Sequence, residues 1–151
     1  MSKFVASRLS IAVLAVVLLG TSPANAGHLT EALEARLGTG AGQLASEQDE
    51  RDLAMLLDFY RERGMAPLWV DEAAGVGSRA RILSEVIAAA GLDGLDPADY
   101  GLSRIQGLLA ARTPEDLATL EVGLSLGLVR LASDLAAGRL QPSQVDPEHY
   151  I

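Results

Sequence analysis

Glu62, Asp71, Glu72, Asp93, Asp96 and Asp99 are the carboxylates whose spacing invites a search for acid–base chemistry. That chemistry requires two carboxyl groups in a dry cleft with their pKa values pushed apart. The surrounding residues point to plainer roles. Asp96 precedes Pro97, the pattern of a helix N-cap followed by a proline at N1, and Glu62 lies between Arg61 and Arg63 at a helix end. Asp93, Asp96 and Asp99 lack the alternating oxygen ligands, central glycine and closing glutamate of a calcium loop. His28 and His149 each lack a second histidine or cysteine at i+3 or i+4, so no metal site is expected. Ser46, Ser78 and Ser103 stand where helix caps are expected rather than where a base and an oxyanion hole would make a nucleophile. The chain has no cysteine, which removes disulfides, thiolate zinc sites and thiol nucleophiles. The expectation is therefore no catalytic residue, no metal and no cofactor.

Two aromatic and basic groups remain: Phe59-Tyr60-Arg61-Glu62-Arg63 with Trp69, and Tyr100 after the Asp-Pro turn. Arg, Trp and Tyr anchor interfaces and stack on sugars, which makes Tyr60, Arg63, Trp69 and Tyr100 the candidate binding residues. In a chain with only 4% aromatic residues the same side chains also serve as core anchors, and both readings stay open. Arg130 and Asp134, at i and i+4, read as an exposed ion pair.

The elements that must position these groups are helical throughout, with no competing strand pattern. Thr30 is read as the cap of a short helix, EALEARL, that stops at Gly38 and is only loosely attached; Gly38 to Gln43 then forms a flexible connector. Ser46 to Asp49 resembles a capping box, and Leu53, Leu56, Leu57 and Tyr60 fall at helical spacing before Gly64 ends that helix. The connection Gly64 to Gly77, with Pro67, Leu68, Trp69 and Val70 at its centre, is too apolar for a solvated linker and is expected to pack on the bundle. Ser78 is read as the next cap, Ile82, Leu83, Val86, Ile87 and Ala90 as one apolar stripe, and Gly91 as the left-handed terminator. Asp96-Pro97 opens a single turn, and Ser103 a short helix carrying Ile105, Leu108 and Leu109. Thr113-Pro114-Glu115-Asp116 opens the longest helix, running to about Ala137, with Leu117, Leu120, Leu124, Leu128, Leu131 and Leu135 as its seam. Gly123 and Gly127, each costing about 1 kcal/mol against Ala in a helix interior, predict a backbone crossing close by. The fold class is all-α, a compact multi-helix bundle.

The first 26 residues are a separate matter. Lys3 and Arg8, the apolar run Leu9 to Gly20, and Ala24-Asn25-Ala26 are the three parts of a secretory signal peptide in order. A run of this length is short of the roughly 20 residues of a spanning helix, so cleavage after Ala26 and no stable membrane span are expected. The divisions are 1–26 signal peptide, 27–45 short helix and Gly-rich connector, 46–138 helical domain and 139–151 extended arm. The 151 residues hold 12 basic and 20 acidic side chains, a net charge of −8, and removing Lys3 and Arg8 takes this to −10. That balance argues against nucleic acid as a partner, since phosphates require a clustered basic face.

The segments LLDFYRERGMAPLWVD, ARILSEVIAAAGLDGLDPADY and TPEDLATLEVGLSLGLVRLASDLAAGRLQPSQVDP together resemble the scaffold domain of the large Gram-negative murein L,D-transpeptidases. Phe59, Tyr60, Arg63, Pro67, Leu68 and Trp69 match that family's FYxxR…PLW segment, and Gly91, Leu92, Asp96, Pro97 and Tyr100 its GLDP-x-DY segment. The chain departs from the pattern at Asp93-Gly94, an insertion, and at His149-Tyr150, where the family carries Trp. The resemblance implies a periplasmic, non-catalytic scaffold module whose partner is peptidoglycan or a cell-wall enzyme. Its alternative is the N-terminal part of an L,D-transpeptidase whose catalytic cysteine domain lies beyond residue 151. No catalytic residue of that family maps onto any position here.

Overall fold

The computed structural model describes residues 27–39 and 47–137. The signal-peptide reading, the Ser46 cap, most of the Gly-rich connector and the C-terminal arm fall outside them. Five α-helices and one small hairpin make up the described fold: α1 (His28–Thr39), α2 (Glu47–Glu62), β1 (Val70–Asp71), β2 (Gly75–Val76), α3 (Ser78–Ala88), α4 (Leu102–Leu108) and α5 (Pro114–Ala137). Short 3-10 segments at Ala89–Asp93 and Pro97–Tyr100 join α3 to α4. No described helix is long and apolar enough to cross a membrane.

The long helix α5 organises the rest. Thr113 Oγ1 accepts from the Asp116 amide at 3.2 Å, Pro114 follows at the first helical position, and Glu115 and Asp116 complement the dipole, as the sequence pattern predicts. Leu117, Leu120, Leu124 and Leu131 of the seam are buried, Leu128 is partly buried and Leu135 faces solvent. Elements α1, α2, α3, α4 and β1 all pack against this helix, so α5 is covered on several faces at once.

The first helix corrects the expectation of loose attachment, since its most extensive packing is against α5. Leu29, Leu33 and Leu37, at i, i+4 and i+8, form a stripe with relative exposure of 2% or less. Thr30 is not its cap. The helix begins at His28 and runs through Gly38 to Thr39, the Glu31 amide bonds to the Gly27 carbonyl, and Thr30 Oγ1 is buried with no hydrogen-bond partner among the described residues. The Leu29 amide instead reaches Glu72 Oε2 at 3.4 Å, so a carboxylate from the 64–77 connection stabilises the positive end of α1.

That connection packs down as expected, but it contains a hairpin where no strand was foreseen. Val70 pairs with Val76 and Asp71 with Gly75 in antiparallel register. Asp71 Oδ1 accepts from the amides of Ala73 and Ala74, at 2.9 and 2.7 Å, and this Asx-type turn needs only local residues. Two-residue strands are too short to leave a period-2 pattern in the sequence. Helix α2 ends through two consecutive left-handed residues, Gly64 (φ 63°) and Met65 (φ 58°); the Met65 amide bonds to the Tyr60 carbonyl at 2.7 Å and its side chain is buried.

Three caps and one stripe are corrected. The N-cap of α3 is Gly77, with Ser78 already helical and making no cap hydrogen bond. Its left-handed terminator is Gly94 (φ 77°) rather than Gly91, because a 3-10 segment extends the helix before the chain turns. Gly94 belongs to the insertion noted above, which ends as the Leu95 amide bonds to the Ala90 carbonyl. Helix α4 follows left-handed Gly101, so Ser103 caps nothing. In the α3 stripe Leu83, Ile87 and Ala90 are buried, while Ile82 is 57% exposed. Asp96 does cap its turn, accepting from the Ala98 amide at 2.9 Å ahead of Pro97.

Candidate functional site

The most concentrated polar arrangement is built on Glu121, a fully buried carboxylate on α5. Oε1 accepts from the Tyr60 hydroxyl at 2.6 Å and the Leu68 amide at 2.5 Å. Oε2 accepts from the amides of Trp69 at 2.9 Å and Val70 at 3.2 Å. Ser125, one turn on, lies 2.8 Å from the Tyr60 hydroxyl and accepts from the Trp69 indole N–H at 2.9 Å. Since the Tyr60 proton goes to Glu121, the Ser125 hydroxyl donates to Tyr60. The order Trp69 to Ser125 to Tyr60 to Glu121 therefore runs every donor toward one carboxylate, the cooperative kind of network.

Burial pushes the Glu121 carboxyl up from its ordinary value, and the bonds from Tyr60, Leu68, Trp69 and Val70 act against that rise. Burial, followed by the charge of Glu121, raises the Tyr60 hydroxyl well above its ordinary value. The Glu121 carboxylate, the Tyr60 and Ser125 hydroxyls and the Trp69 indole N–H all find partners within this cluster, and its residues are buried. What it can do is hold the 64–77 connection against α2 and α5.

Tyr60 and Trp69 are thus brought together by the fold, both through Ser125. Arg63 does not join them; its guanidinium lies over the Phe59 ring at 5.5 Å from the centroid, and Phe59 packs edge-on against Tyr60. Tyr100 is elsewhere, at the end of its 3-10 turn, and its hydroxyl donates to Asp134 at 2.7 Å. That bond corrects the Arg130–Asp134 pairing. Arg130 turns instead to α2, where it pairs with Asp49 and, through Nε at 3.2 Å, with buried Asp52, itself bonded by Gln48 at 2.6 Å. A partly buried pair across helices is less screened than an i,i+4 pair in water.

Between α4, the Pro97–Tyr100 turn and α5 lies an open groove of about 330 Å³. Tyr100, Arg104, Ile105, Gly123, Gly127 and Arg130 are among the residues that line it. Gly127 marks the close crossing that its residue type predicts: an added Cβ would stand 2.9 Å from the Tyr100 carbonyl oxygen. Gly123 does not, for its added Cβ would meet only Ile105 at 3.7 Å. Among the described residues no group of three or more His, Cys, Asp or Glu could hold a metal ion.

Glu121 is the residue that sequence reasoning missed. The available signal was its place between Leu120 and Leu124 inside an apolar seam, where an acid without a partner would be costly.

A family model described as Scaffold domain matches residues 54–151, from the middle of α2 onward. No curated protein and no solved structure matches the chain.

Proposed function

The chain belongs to the Scaffold domain family, and on that premise we propose that it is an exported, periplasmic scaffold module serving peptidoglycan synthesis or remodelling by binding. The observation that carries this reading is the Glu121 cluster. A chain that commits a buried carboxylate, four donors and a serine to fixing one connection on its central helix is built to hold a surface in shape. Rigid elements that present a groove and exposed side chains lose little entropy when a partner docks. Support for export comes from the signal-peptide pattern of Lys3, Arg8, the apolar run and Ala24-Asn25-Ala26. Support for the cell wall comes from the resemblance of the FYRERG…PLW and GLDGLDPADY segments to the scaffold domain of murein L,D-transpeptidases.

The test is retention of the purified protein by sedimented peptidoglycan sacculi, run beside affinity capture of wall-synthesis enzymes from a periplasmic extract. Saturable retention by sacculi, or specific capture of such an enzyme, is the expected result. Absence of both, with the protein folded, overturns the reading.

A further inference from the structure

Helix α3 carries its charges at the ends its own dipole disfavours. Acids stabilise the positive N-terminus of a helix and bases its negative C-terminus. Helices α1, α2 and α5 follow that rule: Glu31 lies in the first turn of α1, Glu47, Asp49 and Glu50 in that of α2, and Glu115 and Asp116 in that of α5. The first turn of α3 has no acid and holds Arg79 and Arg81, while its 3-10 continuation ends on Asp93. Neither Arg79, half-buried, nor Asp93, exposed, forms an ion pair among the described residues.

Those two residues close a regular stripe. Arg79, Ile82, Val86, Ala89 and Asp93 stand at i, i+3, i+7, i+10 and i+14, the seam spacing by which one helix packs along another. The stripe that α3 gives its own core is a different one, Ala80, Leu83, Ser84 and Ile87. On the outer stripe Ile82 is 57% exposed, Val86 is half-buried and Ala89 is exposed. Side chains at i and i+3 of a 3-10 segment eclipse, so Leu92, 90% exposed, stands over Ala89 and extends the apolar surface. Met55 and Phe59 are exposed together on α2, but there Arg63 already lies over the Phe59 ring.

The outer stripe of α3 complements itself in one orientation. When two copies lie antiparallel about a two-fold axis at Val86, that residue meets its own copy, Ile82 meets the partner's Ala89 and Leu92, and Arg79 meets the partner's Asp93. Each Arg79 then also lies at the negative end of the neighbouring helix and each Asp93 at the positive end, which relieves the mismatch within one chain. A parallel pair would set arginine against arginine and aspartate against aspartate. One helical stripe buries less than the roughly 1,200 Å² of a standard interface, so the association is weak and concentration-dependent.

We propose that this chain forms a weak symmetric dimer in which α3 packs antiparallel on the α3 of a second copy, with Arg79 paired to the partner's Asp93. The inference goes beyond the function proposed above and does not depend on it.

The experiment is sedimentation equilibrium of the purified protein from about 10 μM to about 1 mM, the range in which small interfaces associate. The expected result is a reversible equilibrium between monomer and dimer. Leu92→Asp and Ile82→Glu, both at exposed positions, should weaken it about tenfold or more while leaving the helical circular dichroism unchanged. Arg79→Glu alone and Asp93→Arg alone should each weaken it about tenfold, because each sets like charges together. An equimolar mixture of those two variants should associate like the unmodified protein, since every pair is again of opposite sign. Both substitutions place the new charge where the dipole of α3 favours it, so both variants should fold. A monomer at every concentration, association indifferent to Leu92→Asp and Ile82→Glu, a mixture no tighter than its components, or a dimer abolished by Met55→Glu instead each overturns the proposal. Any of these results would remove this inference and leave the sacculus test of the function proposed above unaffected.

Discussion

The hydroxyl of Tyr60 on α2 donates to Glu121 Oε1 on α5 at 2.6 Å across 61 residues of sequence, and both groups are buried. Three consecutive amides, those of Leu68, Trp69 and Val70, converge on the same carboxylate. One acid therefore ties together a helix, a connection and the long helix at the centre of the fold.

Replacing Glu121 by Gln keeps the shape and reverses half of the chemistry, for the amide NH₂ then faces backbone N–H donors. Buried donors left without acceptors cost about 1–3 kcal/mol each, so Glu121→Gln should lower the unfolding free energy by at least about 2 kcal/mol. Ser125→Ala, which strands the Trp69 indole N–H and the second bond of Tyr60, should cost about 1–2 kcal/mol. Urea unfolding measures both, and a neutral Glu121→Gln would show that the cluster contributes nothing.

The raised carboxyl of Glu121 fixes the sign of one pH dependence. Well below the ordinary value of 4.5 the group holds its proton in both the folded and unfolded states. As pH rises past that value the unfolded chain releases the proton first, so Glu121's contribution to stability falls until the pH passes the raised folded value. Above both it is level. The difference in unfolding free energy between the unmodified protein and Glu121→Gln, followed upward from about pH 3.5, should change in favour of the variant across this window. A difference that grows in favour of the unmodified protein over the same range would mean that the folded-state value is depressed.

Arg130 and Arg51 both pair with acids, yet they should behave differently when cut back. Arg51 and Glu47 are 68% and 90% exposed, so Arg51→Met should cost less than about 0.5 kcal/mol. Arg130→Met leaves buried Asp52 with only Gln48 and should cost about 1–3 kcal/mol. Thermal unfolding of the two variants side by side is sufficient, and equal losses would contradict the interhelical role of Arg130.

The two glycines of α5 should respond with opposite signs. Gly127→Ala places a methyl against the Tyr100 carbonyl and should destabilise by about 1–3 kcal/mol. Gly123→Ala meets no such obstacle and should stabilise by up to about 1 kcal/mol through helix propensity. Destabilisation of both would place a second backbone crossing at Gly123.

Much of this architecture is legible from sequence because it rests on local rules. Thr113-Pro114 with its acidic turn, Asp96-Pro97, and the spacing of Leu53, Leu56 and Tyr60 each identify an element without reference to the rest of the chain. The failures share a cause: they depend on what lies across the fold. Ser78 looks like a cap, but the chain enters α3 from the hairpin through extended Gly77. Arg130 has Asp134 at the right helical spacing, yet Tyr100 takes Asp134 and two acids of α2 take Arg130. Leu33 and Leu37 read as part of a short, loosely attached helix with Leu29 outside it, and only the face of α5 they pack against makes all three core. Tyr60 and Trp69 were legible as important residues, whereas Glu121, which joins them to the long helix, was not, because its four donors come from residues more than fifty positions away.

The measurement closest to the central claim is native-state hydrogen exchange at the amides of Leu68, Trp69 and Val70, a stretch that an ordinary connection would leave open to local fluctuation. If Glu121 clamps this connection into the scaffold, all three should exchange only through global unfolding, at rates matching the buried amides of α5. Exchange of these amides at the rates of an open loop, with α5 still protected, would contradict the account.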